Sequence, residues 1–357
     1  MTNVLLALSH SIEEYDQLRL LSSLGYGVCS LGGYIDPRQP HDPKRPALDI
    51  DVVPEIKAAV DALGQQDNLG AAQAHLPDVA LEWADIIIYH HHLERLFGQW
   101  DHLADFRRTG RVIWRTVGQS VEQNEMAARP FRNDGLEIVR YSPKERNIPG
   151  FAGEDALIRF YKDPAEWTGW TGENPVVLNI AQHDEVPYAR AEWLNWRFWL
   201  QATKDLPRVF AGPHSEKIGG LGALSLPDMQ ALLRSSRVYL YTGTQPASYT
   251  LGLIEAMMTG IPVVSIGPEH MTIFPFGPDL FEGHEIVGGL MDPQPATARL
   301  QIEACLDSLP YAMECSAEMR LQAIRLFGMV PVGRQWDDYL SGRPIVPGRS
   351  VDEAVAV

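Results

Sequence analysis

The sequence predicts an α/β protein built from two parallel-sheet domains, and three observations carry that expectation. The chain has 357 residues, more than one compact domain of ordinary size holds. Short apolar runs alternate with amphipathic stretches along its length, the pattern of a parallel sheet covered by helices. Between Asp163 and Pro175 the alternation is broken by Trp167, Gly169, Trp170 and Gly172, and then it starts again.

In the first half, strands are expected at Val4–Leu8, Gly27–Leu31, Ile86–Tyr89, Val112–Val117 and Glu137–Tyr141. Helices lie between them, the first beginning at Ser11. There Ser11-Ile12-Glu13-Glu14 has the spacing of a capping box, in which a serine hydroxyl and a glutamate satisfy each other's backbone donors. Five prolines among polar residues between Asp36 and Pro54 predict a long irregular loop above the sheet. The second series has strands at Val176–Ala181, Arg208–Ala211, Val238–Thr242 and Ile261–Ile266, with helices at Ala191–Ala202, Leu226–Ser235 and Tyr249–Thr259. Helices at Ala296–Leu309 and Ala317–Leu326 and a last helical turn at Gln335–Tyr339 follow. The domain boundaries read from this pattern are 1–170, 171–325 and a tail at 326–357 that could return to the first domain.

With 45% hydrophobic and 21% charged residues, the chain can bury enough apolar surface to be globular. Its formal charge of −16 opposes a broad grip on nucleic acid or anionic membranes. One local exception is the acid-free run holding Arg107, Arg108, Arg111 and Arg115. Cys29, Cys305 and Cys315 are odd in number and lack metal-ligand spacing, which suits reduced thiols in a cytoplasm. No stretch approaches 18 apolar residues and the N-terminus has no basic n-region, so neither a membrane span nor a signal peptide is expected.

The richest stretch runs from Val238 to Ser265 as strand, turn, helix and strand. Gly243 permits a tight turn, and the next helix would present unpaired N–H groups at the carboxyl edge of the sheet. Gly243, Thr244, Ser248, Tyr249, Thr250 and Leu251 form this candidate anion cradle. Glu255, one to two turns along, could accept hydrogen bonds from a sugar attached to a phosphate held there. Gly260 before Ile261-Pro262 reads as a left-handed cap. The competing reading is that any doubly wound sheet contains such units and that Glu255 is simply exposed.

His90, His91 and His92 follow the Ile86–Tyr89 strand, at the end where ligands bind in such sheets. They could bond a sugar hydroxyl or shuttle protons, or be incidental in a solvated turn. No acidic or cysteine partner is spaced for a metal. His10, after the first strand, has a similar location.

The run Gly252-Leu-Ile-Glu255-Ala-Met-Met-Thr-Gly260-Ile-Pro-Val-Val264 resembles the donor-binding signature of retaining glycosyltransferases with the GT-B fold, the large family-4 group. Leu226–Leu240 and Gly289–Pro293 are similar to the segments that flank it there. The resemblance implies two Rossmann-like domains facing each other across a cleft, the first on the acceptor side and the second binding a nucleotide diphosphate sugar, UDP-sugar foremost. It implies that Glu255 binds the ribose and makes Arg190 a candidate for the diphosphate. Ala247 stands where the family commonly has a sugar-contacting acid. The family has no assigned protein nucleophile, the donor phosphate being the base, and the resemblance implies neither a metal nor a permanently bound cofactor. His10, His90, His91 and His92 become the candidates beside the reacting sugar.

Ser9 through Tyr26 and Gly32 through Pro37 look like a subgroup found in phages and environmental sequences, some of which glycosylate 5-hydroxymethylpyrimidines in DNA. The resemblance makes 5-hydroxymethylcytosine in bacteriophage-type DNA the first expected acceptor. Arg107, Arg108, Arg111 and Arg115 would then meet phosphates, and Trp193, Trp196 and Trp199, interleaved with Arg190 and Arg197, would offer a stacking surface. The plainer readings are arginines at a solvated helix end and tryptophans on the core face of a helix. A polysaccharide or lipid-linked glycan is the alternative acceptor, and a non-catalytic nucleotide-sugar-binding protein the alternative function. The expected location is cytoplasmic, the host cytoplasm for a viral protein.

Overall fold

The computed structural model describes residues 1–7, 11–31, 48, 53–62, 75–90, 93–118, 120–181, 195–243, 247–266, 290–292 and 294–345. The chain forms two compact units, Met1–Tyr161 with Val332–Val357, and Lys162–Pro331.

Unit 1 begins with β1 (Asn3–Ala7), α1 (Ser11–Ser23) and β2 (Gly27–Ser30), followed by α2 (Pro54–Ala62), α3 (Asp78–Trp83) and β3 (Ile86–Tyr89). It continues through α4 (Leu93–Gly98), β4 (Arg111–Arg115), α5 (Glu122–Asn133), β5 (Glu137–Arg140) and the short β6 (Ala156–Leu157). The sheet has the order β2-β1-β3-β4-β5-β6 with every pairing parallel. β3 is buried over its whole length, so its Ile-Ile-Ile-Tyr sequence shows no alternation: a central parallel strand is covered on both faces.

Unit 2 contains β7 (Asn174–Ile180), α6 (Trp196–Ala202), β8 (Arg208–Ala211), α7 (Leu226–Ser235), β9 (Ser236–Tyr241), α8 (Leu251–Thr259), β10 (Val263–Ile266) and β11 (Leu290–Asp292). Its parallel sheet has the order β11-β10-β9-β7-β8. Then come α9 (Pro295–Asp307), α10 (Leu309–Phe327) and α11 (Met329–Leu340). α11 starts in unit 2 and continues into unit 1. There Tyr26 donates to Asp337 Oδ1 at 2.9 Å and Arg111 to the Leu340 carbonyl at 3.0 Å.

The expected strands recur within a residue or two, and β3 and α7 have the expected limits. α11 is three turns, because Val332, Trp336, Tyr339 and Leu340 form a buried stripe that one turn could not present. Asp163–Glu173 is irregular as expected, yet it is packed: the Trp170 indole donates to the Ser236 carbonyl at 2.8 Å and Trp167 is fully buried. The proline-rich loop falls outside the described residues except Leu48, Val53 and Pro54.

Each sheet switches direction beside its first strand: β1 lies between β2 and β3, and β7 between β8 and β9. Successive crossovers leave such a strand on opposite sides, so its carboxyl end opens a crevice where ligands of doubly wound sheets bind.

Candidate functional site

In unit 2 the switch point is flanked by the ends of β7 and β9. Asn179 donates to the Leu240 carbonyl at 2.8 Å and Asn195 to the Thr242 carbonyl at 2.7 Å, so side-chain amides hold the two edges. Gly212 has φ +124, and a Cβ there would lie 1.8 Å from the Ala181 carbonyl oxygen; only glycine lets β8 end so close to β7. Gly243 leaves β9 with φ +78, the left-handed turn its sequence position predicts.

Beyond Gly243 the chain reaches α8 through buried Ser248 and Tyr249, and the Tyr249 ring lies 5.9 Å from that of Phe327. Thr250 is the N-cap: its hydroxyl accepts from the Leu253 N–H at 3.3 Å. The N–H groups of Leu251 and Gly252 lie ahead of the first intrahelical bonds. No acidic residue stands in that first turn, and among the described residues a Cβ on Gly252 would meet nothing within 4 Å. The positive end of the helix dipole therefore has no carboxylate of its own turn to neutralise it. At the other end Gly260 has φ +95 and donates to Met257 O at 3.0 Å, with Ile261 donating to Ala256 O at 3.3 Å, the left-handed cap expected there.

Glu255 lies on the second turn of α8 and is only 4% exposed, not the solvated carboxylate of the plainer reading. Lys162, wholly buried, donates to its Oε1 at 2.7 Å. Sequence reasoning missed Lys162, whose only signal was a cation directly after the Phe160-Tyr161 pair, which Arg159 precedes. Among the predicted donor residues, Thr244 and Arg190 fall outside the described residues.

At the switch point of unit 1, His90 follows β3 and is buried, with its Nε2 3.4 Å from Gln17 Oε1 on α1. His10, His91 and His92 lie outside the described residues. α1 buries Glu13, Glu14, Asp16 and Gln17. Ser30 donates to Glu14 Oε1, and Arg115 Nε lies 3.7 Å from Glu13 Oε1. The side chains of Ser11 and Ile12, and with them the capping box, are outside the described residues.

The arginine cluster is not a free basic face. Arg115 is fully buried and donates to the Arg140 and Ile158 carbonyls at 3.0 and 2.5 Å. Arg111 makes a two-point pair with Glu137 at 2.8 and 2.7 Å. Burial raises the Glu137 carboxyl, but the hydrogen bonds from Arg111 and Tyr339 outweigh it and hold the group below its ordinary range. Arg107 lies 4.2 Å over Trp100 and pairs with Asp134 at 2.6 Å, and Asp134 is held low first by the Trp100 indole and then by Arg107. Arg108 is the solvated member, 79% exposed. The tryptophan stripe is likewise committed: Trp196 and Trp199 stack at 4.9 Å, and each meets Phe210 edge-on in the core of unit 2. Trp193 is outside the described residues.

Among the described residues no group of three or more His, Cys, Asp or Glu could hold a metal, and no helix is long and apolar enough to cross a membrane.

At the level of sequence, no family model matches the chain and no curated protein aligns with it significantly. Solved structures do match. The chain superposes on Anabaena HepE, determined in complex with UDP-glucose, with a TM-score of 0.65 at 15% identity, covering 96% of this chain and 100% of that one. A glycosyltransferase from Rickettsia africae gives 0.61 at 12% identity, over 96% and 98% of the two chains. S. aureus TarM, in complex with fondaparinux, alpha-GlcNAc-glycerol and UDP, gives 0.52 at 15% identity, over 71% of this chain and 54% of its own.

The chain has the GT-B fold. In a GT-B fold each unit supplies one Rossmann-like sheet, and the two switch points described above are the crevices that the two sheets present. Gly243, Ser248, Tyr249, Thr250, Leu251 and Glu255, inferred from sequence as donor residues, lie along the segment that leaves β9 and forms α8, and Lys162 pairs with Glu255.

Proposed function

We propose that the chain is a glycosyltransferase that moves a sugar from a UDP-sugar to a hydroxyl of a glycan, either a polysaccharide or a lipid-linked saccharide. One observation carries the reading: α8 starts beside the switch point with an acid-free first turn, and one turn on it holds the ion-paired Glu255. Leu251 and Glu255 are about 6 Å apart along the helix axis at ~1.5 Å per residue, comparable to the separation of a ribose from its phosphates. HepE, which shares the fold, has also been determined with UDP and glucose together and with UDP alone.

In this reading the N–H groups of Leu251 and Gly252 donate to diphosphate oxygens, and Glu255 accepts from the ribose hydroxyls. As the sugar–oxygen bond breaks, negative charge grows on the departing diphosphate, where the helix dipole already favours an anion. A phosphate oxygen of the leaving UDP takes the acceptor proton as the hydroxyl attacks from the same face, so the anomeric configuration is retained. Unit 1 is assigned to the acceptor: acids in the first turn of α1 oppose a phosphate there, and a neutral hydroxyl-bearing ligand suits that polar crevice.

The glycan replaces hydroxymethylated DNA as the leading acceptor because Arg107, Arg111, Arg115, Trp196 and Trp199, the side chains that would have met DNA, are engaged within the protein. The test measures UDP release from a panel of UDP-sugars, alone and with glycan acceptors or hydroxymethylcytosine DNA. We expect release from at least one donor, stimulated by a glycan and not by DNA. Stimulation by DNA alone would reverse the acceptor order, and no release from any UDP-sugar would contradict the donor reading.

A further inference from the structure

We propose that Lys162 is a positioning residue for nucleotide recognition, fixing the Glu255 carboxylate so that it meets the two hydroxyls of a ribose together. The inference rests on the donor-site reading above and goes beyond it by assigning ribose-over-deoxyribose selectivity to a lysine 93 positions away in sequence.

Lys162 is the first residue of unit 2 and is anchored at both ends. Its backbone N–H donates to the Phe327 carbonyl at 2.9 Å, at the end of α10. Its ammonium group reaches Glu255 Oε1 at 2.7 Å and lies 6.0 Å from the centre of the buried Trp167 ring. Trp167 is held in turn, since its carbonyl and that of Met258 on α8 both accept from Arg320. A lysine side chain has four rotatable bonds and loses about 2 kcal/mol of rotamer entropy when ordered. Burying one to bond a helix-borne carboxylate is a costly way to fill space. It is an effective way to set the plane of that carboxylate, because one oxygen is pinned while the helix fixes the Cα. A vicinal diol needs such a fixed plane: both its hydroxyls must point at one carboxylate simultaneously, whereas a single hydroxyl tolerates rotation.

A purely structural lysine would matter for folding and not for the sugar of the nucleotide. The test therefore compares UDP with 2′-deoxy-UDP by calorimetry on the full chain. Wild type should prefer UDP by at least about tenfold, the value of a hydrogen bond to a charged group. Lys162→Met should bring that ratio to within about twofold, and Lys162→Arg should keep most of it. In turnover, Lys162→Met should raise KM for the UDP-sugar about tenfold while kcat changes less than about threefold, a binding effect. A folded Lys162→Met that keeps the full UDP preference overturns the proposal, and so does a wild type that binds both nucleotides equally. A wild type that binds neither sinks the donor reading itself.

If Lys162→Met fails to fold, Glu255→Gln is compared with the Lys162→Met/Glu255→Gln double variant, which leaves no unpaired buried charge. Glu255→Gln should retain the larger ribose preference because Lys162 still holds the amide oxygen. Equal preference in the two overturns the proposal.

Discussion

The two switch points share one topology and differ in charge. In unit 1 the helix after the first strand carries Glu13 and Glu14 in its first turn and buries Asp16 and Gln17 one turn later. In unit 2 the helix after β9 has no acid in its first turn, and its one carboxylate is tied to a lysine. A helix N-terminus attracts an anion only while its own residues leave the dipole uncompensated. In the proposed reading, the same strand–turn–helix device suits a diphosphate in one unit and opposes it in the other.

Separating the units energetically sharpens the comparison most. Arg140 makes a fully buried two-point pair with Glu125 at 2.6 and 2.8 Å and donates to the Gly153 carbonyl. Arg140→Ala should destabilise unit 1 by about 3–5 kcal/mol, because Glu125 is left buried without its partner. Scanning calorimetry reads this as a lowered transition, while UDP affinity measured well below it stays within about twofold. An equal loss of UDP affinity would place the nucleotide partly in unit 1. Glu255→Ala should lower kcat/KM for the UDP-sugar at least about 100-fold, or ~2.7 kcal/mol, in steady-state assays. Gly252→Asp tests the helix start itself. The new carboxylate should weaken UDP binding about tenfold while leaving the thermal midpoint unchanged or raised, since an acid there suits the dipole. Weaker binding and lower stability together would point to misfolding instead. The smallest effect is expected at Arg108→Ala, within about 0.5 kcal/mol in stability. Its UDP release should be unaltered, and a large loss there would restore a role for the basic run.

The longer strands and α8 were legible because a parallel sheet writes itself as apolar runs and a helix end as glycine: Ile86–Tyr89 and Gly260 needed no tertiary information, whereas β6 and β11, two and three residues long, were not expected. Sheet order was not legible, since pairing depends on crossovers that no local pattern records. Lys162 escaped for the same reason, its partner being distant in sequence and its burial contrary to what lysine usually signals. The arginines misled in the opposite direction. Four cations in nine residues read as a surface, but β4 is buried on both faces beyond its first residue, which takes Arg115 into the protein, and Arg111 at the start of the strand finds Glu137 on the neighbouring strand. The tryptophan stripe offered two readings at one spacing, and only the packing of Phe210 against both rings separates them.

Isothermal titration of UDP into wild type and Glu255→Ala, both checked for native circular dichroism, tests the central claim that unit 2 is a nucleotide-sugar site built on α8. Saturable binding to wild type, weakened at least about tenfold in the variant, is the expected result. Equal affinity in the two proteins, or no binding to wild type, would contradict it.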